Sequence, residues 1–293
     1  MTLAPGTEQI DAHLHLWDLE VCSYPWLGPQ HGPLHATFTP EQARAELDAH
    51  GVSGAVVVQA EDSTAETDYL LSLAREHEWL LGVVGWLPLE DPAATTRTLE
   101  EWAAARRPGR GRLVGVRHLV HDDPRDDFLA LPVVRESLAL AAEAGLTLDV
   151  PDAWPRHLRR TGDLARALPQ LRIVVDHLAK PPRGTTELPA WRAELARVAA
   201  EPNTVAKLSG LHVPGVPFSA SALRGVWEAA LELFGPARLM YGGDWPMTVP
   251  AGGYGPSHAV LTTLVAELSA TEKQQIMAGT ARAVYGLPGV PGD

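Results

Sequence analysis

Two histidines one residue apart stand near the start of the chain, in the segment IDAHLHLWD at residues 10–18. Side chains alternate between the two faces of a strand, so Asp11, His13, His15 and Trp17 are predicted to share one face. A lone buried histidine is usually a hydrogen-bonded core residue. A pair at the outgoing end of a strand indicates a site instead, because imidazoles bind metals such as zinc and polarise carbonyl oxygens.

Other apolar segments end in residues that carry similar chemistry. VVDHLAKP places His177 and Lys180 at the exit of one strand, and LMYGGDWP places Asp244 at the exit of another. The two glycines before Asp244 allow close approach of the backbone. An aspartate before a loop is usually a solvated turn residue, but at the same sheet edge as three histidines we expect Asp244 to be functional.

Two further segments put charged residues inside predicted strands. GVRHLV carries Arg117 and His118 on opposite faces, so only one of them can point straight inward. AKLSG carries Lys207 and Ser209 on one face. A lysine within a strand is unusual unless an acid pairs with it, so a salt bridge is the alternative to a functional role for Lys207.

These residues require strands that all end at one edge. Eight segments rich in β-branched residues predict such strands: residues 10–17, 52–59, 80–89, 113–120, 146–152, 172–180, 203–211 and 238–246. Segments with helical spacing alternate with them, which implies parallel strands joined by helices. The sequence therefore predicts one α/β domain over residues 1–293, a (β/α)₈ TIM barrel. A doubly wound open sheet is the main alternative, but no GxGxxG follows the first strand.

A long loop, residues 19–39, follows the first predicted strand and is expected to contribute to the site, because such loops contact substrate in barrels. It carries Tyr24, Trp26, His31 and His35. Tyr24, Trp26 and Trp245 offer flat aromatic faces to a bound substrate, although Trp245, like Trp17, fits core packing equally well. Among the remaining histidines, His31, His35 and His212 are those expected nearest to substrate.

Composition narrows the range of partners. The formal net charge of −12 disfavours affinity for nucleic acids and for anionic membranes. Cys22 is the only cysteine, so an intramolecular disulfide and a cysteine-based zinc site are excluded. The N-terminal residues resemble no secretion signal, and no apolar run is long enough to span a bilayer. We expect a cytoplasmic protein with a small-molecule substrate; the exposed loops are compatible with a homodimer.

The order of several motifs resembles the amidohydrolase superfamily, and more closely its sugar-lactonase branch, which includes fuconolactonase-like, rhamnonolactonase-like and pyrone-dicarboxylate lactonase enzymes. The segments that carry the resemblance are DAHLHLWD, YPWL, GVRHLV, VVDHLAKP, AKLSGL, LMYGGDWP and GTARAVYGL. One departure is Leu14, where this branch commonly has glutamine. Leu14 is expected to point away from the site, so we expect it to affect packing.

The resemblance also bears on metal content. Binuclear members use a lysine on strand four and a histidine on strand five, but here LVGVRHLV on strand four contains no lysine and LTLDVPD on strand five contains no histidine. We therefore expect at most one divalent metal, such as Zn²⁺, held by His13, His15, His177 and Asp244. Metal-free catalysis by the same groups is the other alternative.

The resemblance implies a hydrolase that opens a sugar-acid lactone or a similar cyclic ester. Asp244 would act as general base, and His13, His15 and His177 would activate the carbonyl. The expected substrate-binding cations are Arg117, Lys180 and Lys207, with His118 as a further substrate-binding candidate. Two rival functions are a metal-dependent decarboxylase of aromatic carboxylic acids and a non-catalytic barrel that binds a sugar acid.

Overall fold

The computed structural model describes residues 8–105 and 111–288, in which eight strands form a single parallel sheet. The strands are β1 (Ile10–Leu14), β2 (Gly54–Val58), β3 (Leu80–Gly85), β4 (Leu113–Arg117), β5 (Thr147–Val150), β6 (Ile173–Val175), β7 (Thr204–Leu208) and β8 (Leu239–Tyr241). Each strand pairs with the next one along the chain. Every predicted strand segment contains one of them, so the predicted barrel is confirmed.

Among the described residues, an α-helix connects each strand to the next, as the amphipathic spacing predicts, and three further α-helices follow β8. They are α1 (Pro40–Ala49), α2 (Thr64–Glu76), α3 (Pro92–Ala104), α4 (Pro132–Glu143), α5 (Leu158–Ala167), α6 (Leu188–Ala199), α7 (Ala220–Phe234), α8 (Tyr254–Val265), α9 (Ala270–Gln274) and α10 (Thr280–Tyr285). Ser63 and Ser219 start α2 and α7 by accepting hydrogen bonds from backbone N–H groups. Within the described ranges, no helix is long and apolar enough to cross a membrane.

The barrel closes between β1 and the residues that follow β8. Leu14 pairs in parallel with Trp245. The His15 N–H donates to the Trp245 carbonyl at 2.7 Å, and the Asp244 N–H donates to the His13 carbonyl at 2.7 Å. We call these contacts between residues 13–15 and 244–245 the seam. Because the seam joins the first strand to the end of the last, the open-sheet alternative is excluded.

The prediction that the Asp11 side chain lies on the same face of β1 as His13 is wrong. The pairing register of β1 with β2 shifts between Asp11 and Leu14, which is the signature of a bulge. The Asp11 carboxylate accepts hydrogen bonds from the Tyr254 hydroxyl in α8 at 3.0 Å and from the Gly243 N–H at 2.8 Å. A bulge changes the alternation of side chains, so Asp11 does not share the face of His13.

Candidate active site

A cavity of about 840 Å³ lies at the carboxyl ends of the strands. Residues at or just after the ends of β1, β2, β4, β5, β6, β7 and β8 line it. Trp26 and His31, from the loop over residues 19–39, and His212, which follows β7, complete the wall. This is the end of a (β/α)₈ barrel at which active sites are found.

Three histidines and one aspartate meet at the inner end of this cavity. His15, His177 and Asp244 line the cavity, and His13 lies fully buried beside them. The Asp244 Oδ1 atom lies 3.7 Å from His13 Nε2, 3.6 Å from His15 Nε2 and 3.9 Å from His177 Nε2. We call these four residues the His–Asp cluster. All four were predicted as site residues, and the structure brings them together.

Hydrogen bonds at the Nδ1 atoms orient two of these rings. His15 Nδ1 lies 2.8 Å from the Val58 carbonyl, and His177 Nδ1 lies 2.8 Å from the Ser209 hydroxyl. A carbonyl oxygen only accepts, so the hydrogen of a neutral His15 sits on Nδ1 and its Nε2 keeps a lone pair. Both rings therefore present Nε2 towards Asp244.

A left-handed turn places His177 in the cavity. The four residues from His177 to Lys180 all have positive φ, between 52° and 61°. This conformation is unfavourable for residues with a Cβ and persists only where surrounding contacts enforce it. Leu178 and Ala179 are fully buried, and the Trp191 indole N–H donates to the Leu178 carbonyl at 2.8 Å. The turn thus directs both His177 and Lys180 to the cavity wall.

Glycines permit the close packing of the His–Asp cluster. A Cβ at Gly210 would lie 2.3 Å from His177 Nδ1, and one at Gly242 would lie 2.7 Å from the Cβ of His13. Such distances are too short for any side chain at these positions. Asp244 itself has a positive φ of 55°, which turns its carboxylate towards the three rings.

Burial determines the charge of the cluster. Removal from water disfavours the charged imidazole and lowers the pKa of both His13 and His177. Burial alone would raise the pKa of Asp244, but the facing imidazoles, His177 foremost, hold that pKa below its usual range. These pKa directions favour neutral rings at His13 and His177 and an ionised carboxylate at Asp244 near neutral pH.

The same atoms fit a single divalent cation. One ligand atom each from His13, His177 and Asp244 lie within 4.8 Å of one another, and His15 Nε2 lies 3.1 Å from His13 Nε2. Imidazole nitrogens with a carboxylate oxygen are the donors that divalent transition metals accept in proteins. The donor set is thus complete enough for one ion.

Two predicted substrate-binding cations line the cavity. The Arg117 guanidinium donates to the Gln59 carbonyl and lies 3.4 Å from Asp176 Oδ2, while its buried Nε has no hydrogen-bond partner within residues 8–105 and 111–288. The Lys180 ammonium lies 3.7 Å from Asp152 Oδ2. Both cations have carboxylate neighbours and still border the cavity.

The predicted aromatic contacts separate into two groups. Trp26 lines the cavity and donates its indole N–H to the Ala60 carbonyl at 2.8 Å. Tyr24 and Trp245 are buried in the apolar core, where Trp245 packs edge-on against Phe38. For Trp245 the structure therefore favours the core-packing alternative. Neither Tyr24 nor Trp245 is among the residues that line the cavity.

His118 lies outside the cavity, on the opposite face of its chain segment from Arg117. Its ring stacks on Phe128 with 4.0 Å between the ring centres, and its Nδ1 lies 3.0 Å from Asp62 Oδ2. The alternation of side chains anticipated that only one of the two neighbours points inward. The structure selects Arg117, which corrects the inclusion of His118 among the substrate-binding residues.

Lys207 points inward, but it is sealed from the cavity. The side chain is fully buried, and its ammonium lies 2.6 Å from Asp149 Oδ2 and 3.0 Å from Asp176 Oδ1. A side chain with no exposure cannot contact substrate, so the predicted substrate contact of Lys207 is corrected to a buried ion pair. A salt bridge is the alternative role that the position of Lys207 inside a strand indicated.

Sequence reasoning missed several cavity residues, among them Asp152, His121 and Asp122. Asp152 and His121 line the cavity after β5 and β4. Asp152 was detectable, because it stands at a strand exit just as Asp244 does. Of the three histidines left without a role, His31 and His212 line the cavity, whereas His35 is exposed outside it.

Comparisons with known proteins agree with this geometry. The family model described as Amidohydrolase matches residues 10–287. A protein from Burkholderia ambifaria named L-fucono-1,5-lactonase is 32% identical, with 85% of this chain and 84% of that protein covered. One of the same name from Burkholderia multivorans is 31% identical, with 97% of each chain covered. A solved amidohydrolase from Burkholderia multivorans with bound zinc has a TM-score of 0.83 at 31% identity, covering 96% of this chain and 100% of that one.

Proposed function

The chain belongs to the amidohydrolase family, and we propose that it hydrolyses the ring ester of a sugar-acid lactone. The convergence of Asp244 with three imidazoles carries this proposal. Lactone hydrolysis needs a base for the attacking water and donors for the charge that develops on the carbonyl oxygen, and the cluster holds both. The two relatives named L-fucono-1,5-lactonase support this substrate class.

In the proposed reaction, Asp244 accepts a proton from water while the water oxygen bonds to the lactone carbonyl carbon. The bond between that carbon and the ring oxygen then breaks, and Asp244 returns the proton to the leaving alkoxide. Because the pKa of Asp244 is held low, the carboxylate is a weak base. Its contribution therefore depends on fixed positioning next to the water and the carbonyl.

A metal has a place in the same site. His13, His15, His177 and Asp244 would hold one divalent ion, for which we propose zinc. When bound, that ion polarises the carbonyl and increases the acidity of water. Without a metal, the donor that this chain offers to the developing oxyanion is the Nε2–H group of His177, whose Nδ1 meets the Ser209 hydroxyl.

The charges of the cavity wall favour an uncharged, hydroxylated lactone over a dicarboxylate. Arg117 lies beside Asp176, and Lys180 lies beside Asp152, so each cation is already offset by an anion. Asp122 adds a further carboxylate to the lining. A dianionic substrate would meet no net positive charge on this wall, whereas hydroxyl groups can donate to the carboxylates.

Hydrolysis of a panel of aldonolactones, followed with a pH indicator, tests the proposal. The protein is assayed as purified and after exhaustive chelation, with its metal content measured each time, and aromatic carboxylic acids are included in the panel. We expect acid release from one or more aldonolactones. Decarboxylation of the aromatic acids, or lactone binding without turnover, would overturn the proposal in favour of a decarboxylase or a binding protein.

A further inference from the structure

A buried ion layer lies directly behind the His–Asp cluster. It consists of Lys207, Asp149 and Asp176, whose side chains have no exposed surface. The Lys207 ammonium reaches the cluster, because its nitrogen lies 3.1 Å from His13 Nδ1 and forms a hydrogen bond to it. The ion layer therefore contacts one ring of the site from behind without reaching the cavity.

The direction of this hydrogen bond determines where the hydrogen of His13 sits. An ammonium only donates, so Nδ1 of His13 acts as acceptor and a neutral ring carries its hydrogen on Nε2. His13 Nε2 lies 3.1 Å from His15 Nε2. That atom accepts, because the Nδ1–H of His15 donates to the Val58 carbonyl. The hydrogen bonds thus run in one direction, from Lys207 through His13 to His15.

Asp176 can accept a hydrogen bond from His13 if the ring hydrogen lies on Nδ1 instead of Nε2. Asp176 Oδ1 lies 3.3 Å from His13 Nδ1, and it meets Lys207 as an ion pair while accepting no aligned hydrogen bond. If the hydrogen of His13 were on Nδ1, it would be donated to this oxygen. Nε2 would then keep a lone pair, which is the form of histidine that binds a metal.

We propose that Lys207 and Asp176 compete for Nδ1 of His13 and thereby decide whether His13 acts as a hydrogen-bond donor or as a metal ligand. Lys207 holds the donor form, with hydrogen on Nε2. Asp176 supports the ligand form, with hydrogen on Nδ1. Both are positioning residues, since each acts on the reaction only through His13. The proposal concerns the same site as the proposed lactonase function, and only its turnover measurement rests on that function.

The ring nitrogens of His13 can be observed directly by ¹⁵N NMR of histidine-labelled, zinc-free protein. Comparison with His13→Gln identifies the signals. We expect Nε2 of His13 to carry the hydrogen in the zinc-free protein, and we expect it to move to Nδ1 when zinc is added. A zinc-free protein with hydrogen on Nδ1 would overturn the proposal.

The double variant K207M/D149N provides an independent test through zinc affinity. It removes the competing donor and one carboxylate together, so the net charge of the layer is preserved. We expect zinc to bind about tenfold more tightly by calorimetric titration, in the range typical of residues that orient metal ligands. We also expect the His13 hydrogen to sit on Nδ1 without zinc. Unchanged or weaker zinc binding by the folded double variant would contradict the proposal.

Lys180→Met is the matched control, because it removes a lysine from the same end of the barrel that does not contact His13. A similar gain in zinc affinity in this variant would contradict the proposal, because the gain would then not depend on the contact with His13. If lactone turnover is absent in every form, the proposed function fails, but the NMR and zinc measurements still decide the role of Lys207. If turnover is present, we expect the metal-free rate to fall in K207M/D149N.

Discussion

Two groups of ionisable residues share the interior of this barrel and differ in where their partners lie. In the ion layer, Lys207 is satisfied by Asp149 and Asp176, all within the protein. In the His–Asp cluster, which lies one hydrogen bond further on, the polar atoms of His177 and Asp244 border a cavity. Buried charge therefore does not by itself mark a site. The informative feature is a set of aligned polar atoms with space in front of it.

The comparison predicts that the cluster controls turnover and not stability. Asp244→Asn keeps the shape of the side chain and the backbone bond of the seam, but it removes the proton acceptor. We expect kcat/KM for the responsive lactone to fall about 10³-fold, the scale of general base catalysis. The free energy of unfolding should change little in chemical denaturation. Near-normal activity in the folded variant would mean that Asp244 is not the base.

The ion layer should behave in the opposite way. Lys207→Met leaves the buried Asp149 without its cation and Asp176 with Arg117 as its remaining cation, so we expect the free energy of unfolding to fall by about 3 to 5 kcal/mol. Urea denaturation measures this loss. K207M/D149N should recover part of it, because one unpaired carboxylate is removed at the same time. A single variant as stable as the wild type would show that the layer is not held by its charges.

Ser209 is a buried residue that contacts the His–Asp cluster through His177, and we expect its replacement to affect both turnover and stability. Ser209→Ala removes the hydroxyl that orients His177, so we expect a fall of about tenfold in kcat/KM and a loss of about 1 kcal/mol in the free energy of unfolding. Steady-state kinetics and urea denaturation test both values. Ser137→Ala is the control, since the buried hydroxyl of Ser137 has no hydrogen-bond partner among the described residues. Equal kinetic effects in both variants would remove the orienting role.

His118 lies outside both groups, and its replacement should have the smallest effect. For His118→Gln we expect kcat/KM within about twofold of the wild type and a loss of stability of about 1 kcal/mol from the lost stacking on Phe128. Kinetics over a range of substrate concentrations separate KM from kcat. A large rise in KM would place His118 against the substrate after all.

The sequence predicted the barrel because alternating strand and helix patterns leave few parallel topologies. It also predicted the cluster, since His15, His177 and Asp244 stand at the exits of strands that end at one edge. The orientation of the Asp11 side chain was predicted wrongly, because the pattern of apolar and polar residues does not show where a β-bulge occurs. The partners of Lys207 were missed because the register of β5, β6 and β7 brings them together, and register depends on the closed sheet.

The residues whose backbone groups form the seam also supply side chains to the site. The backbone groups that complete the barrel belong to His13, His15 and Asp244, whose side chains form the site. His13 and His15 lie near the start of the chain and Asp244 lies near its end, so a nascent or truncated half-barrel contains only part of the His–Asp cluster. Amide hydrogen exchange at His15 and Asp244 would therefore report, without any substrate, the fraction of molecules that are closed and complete.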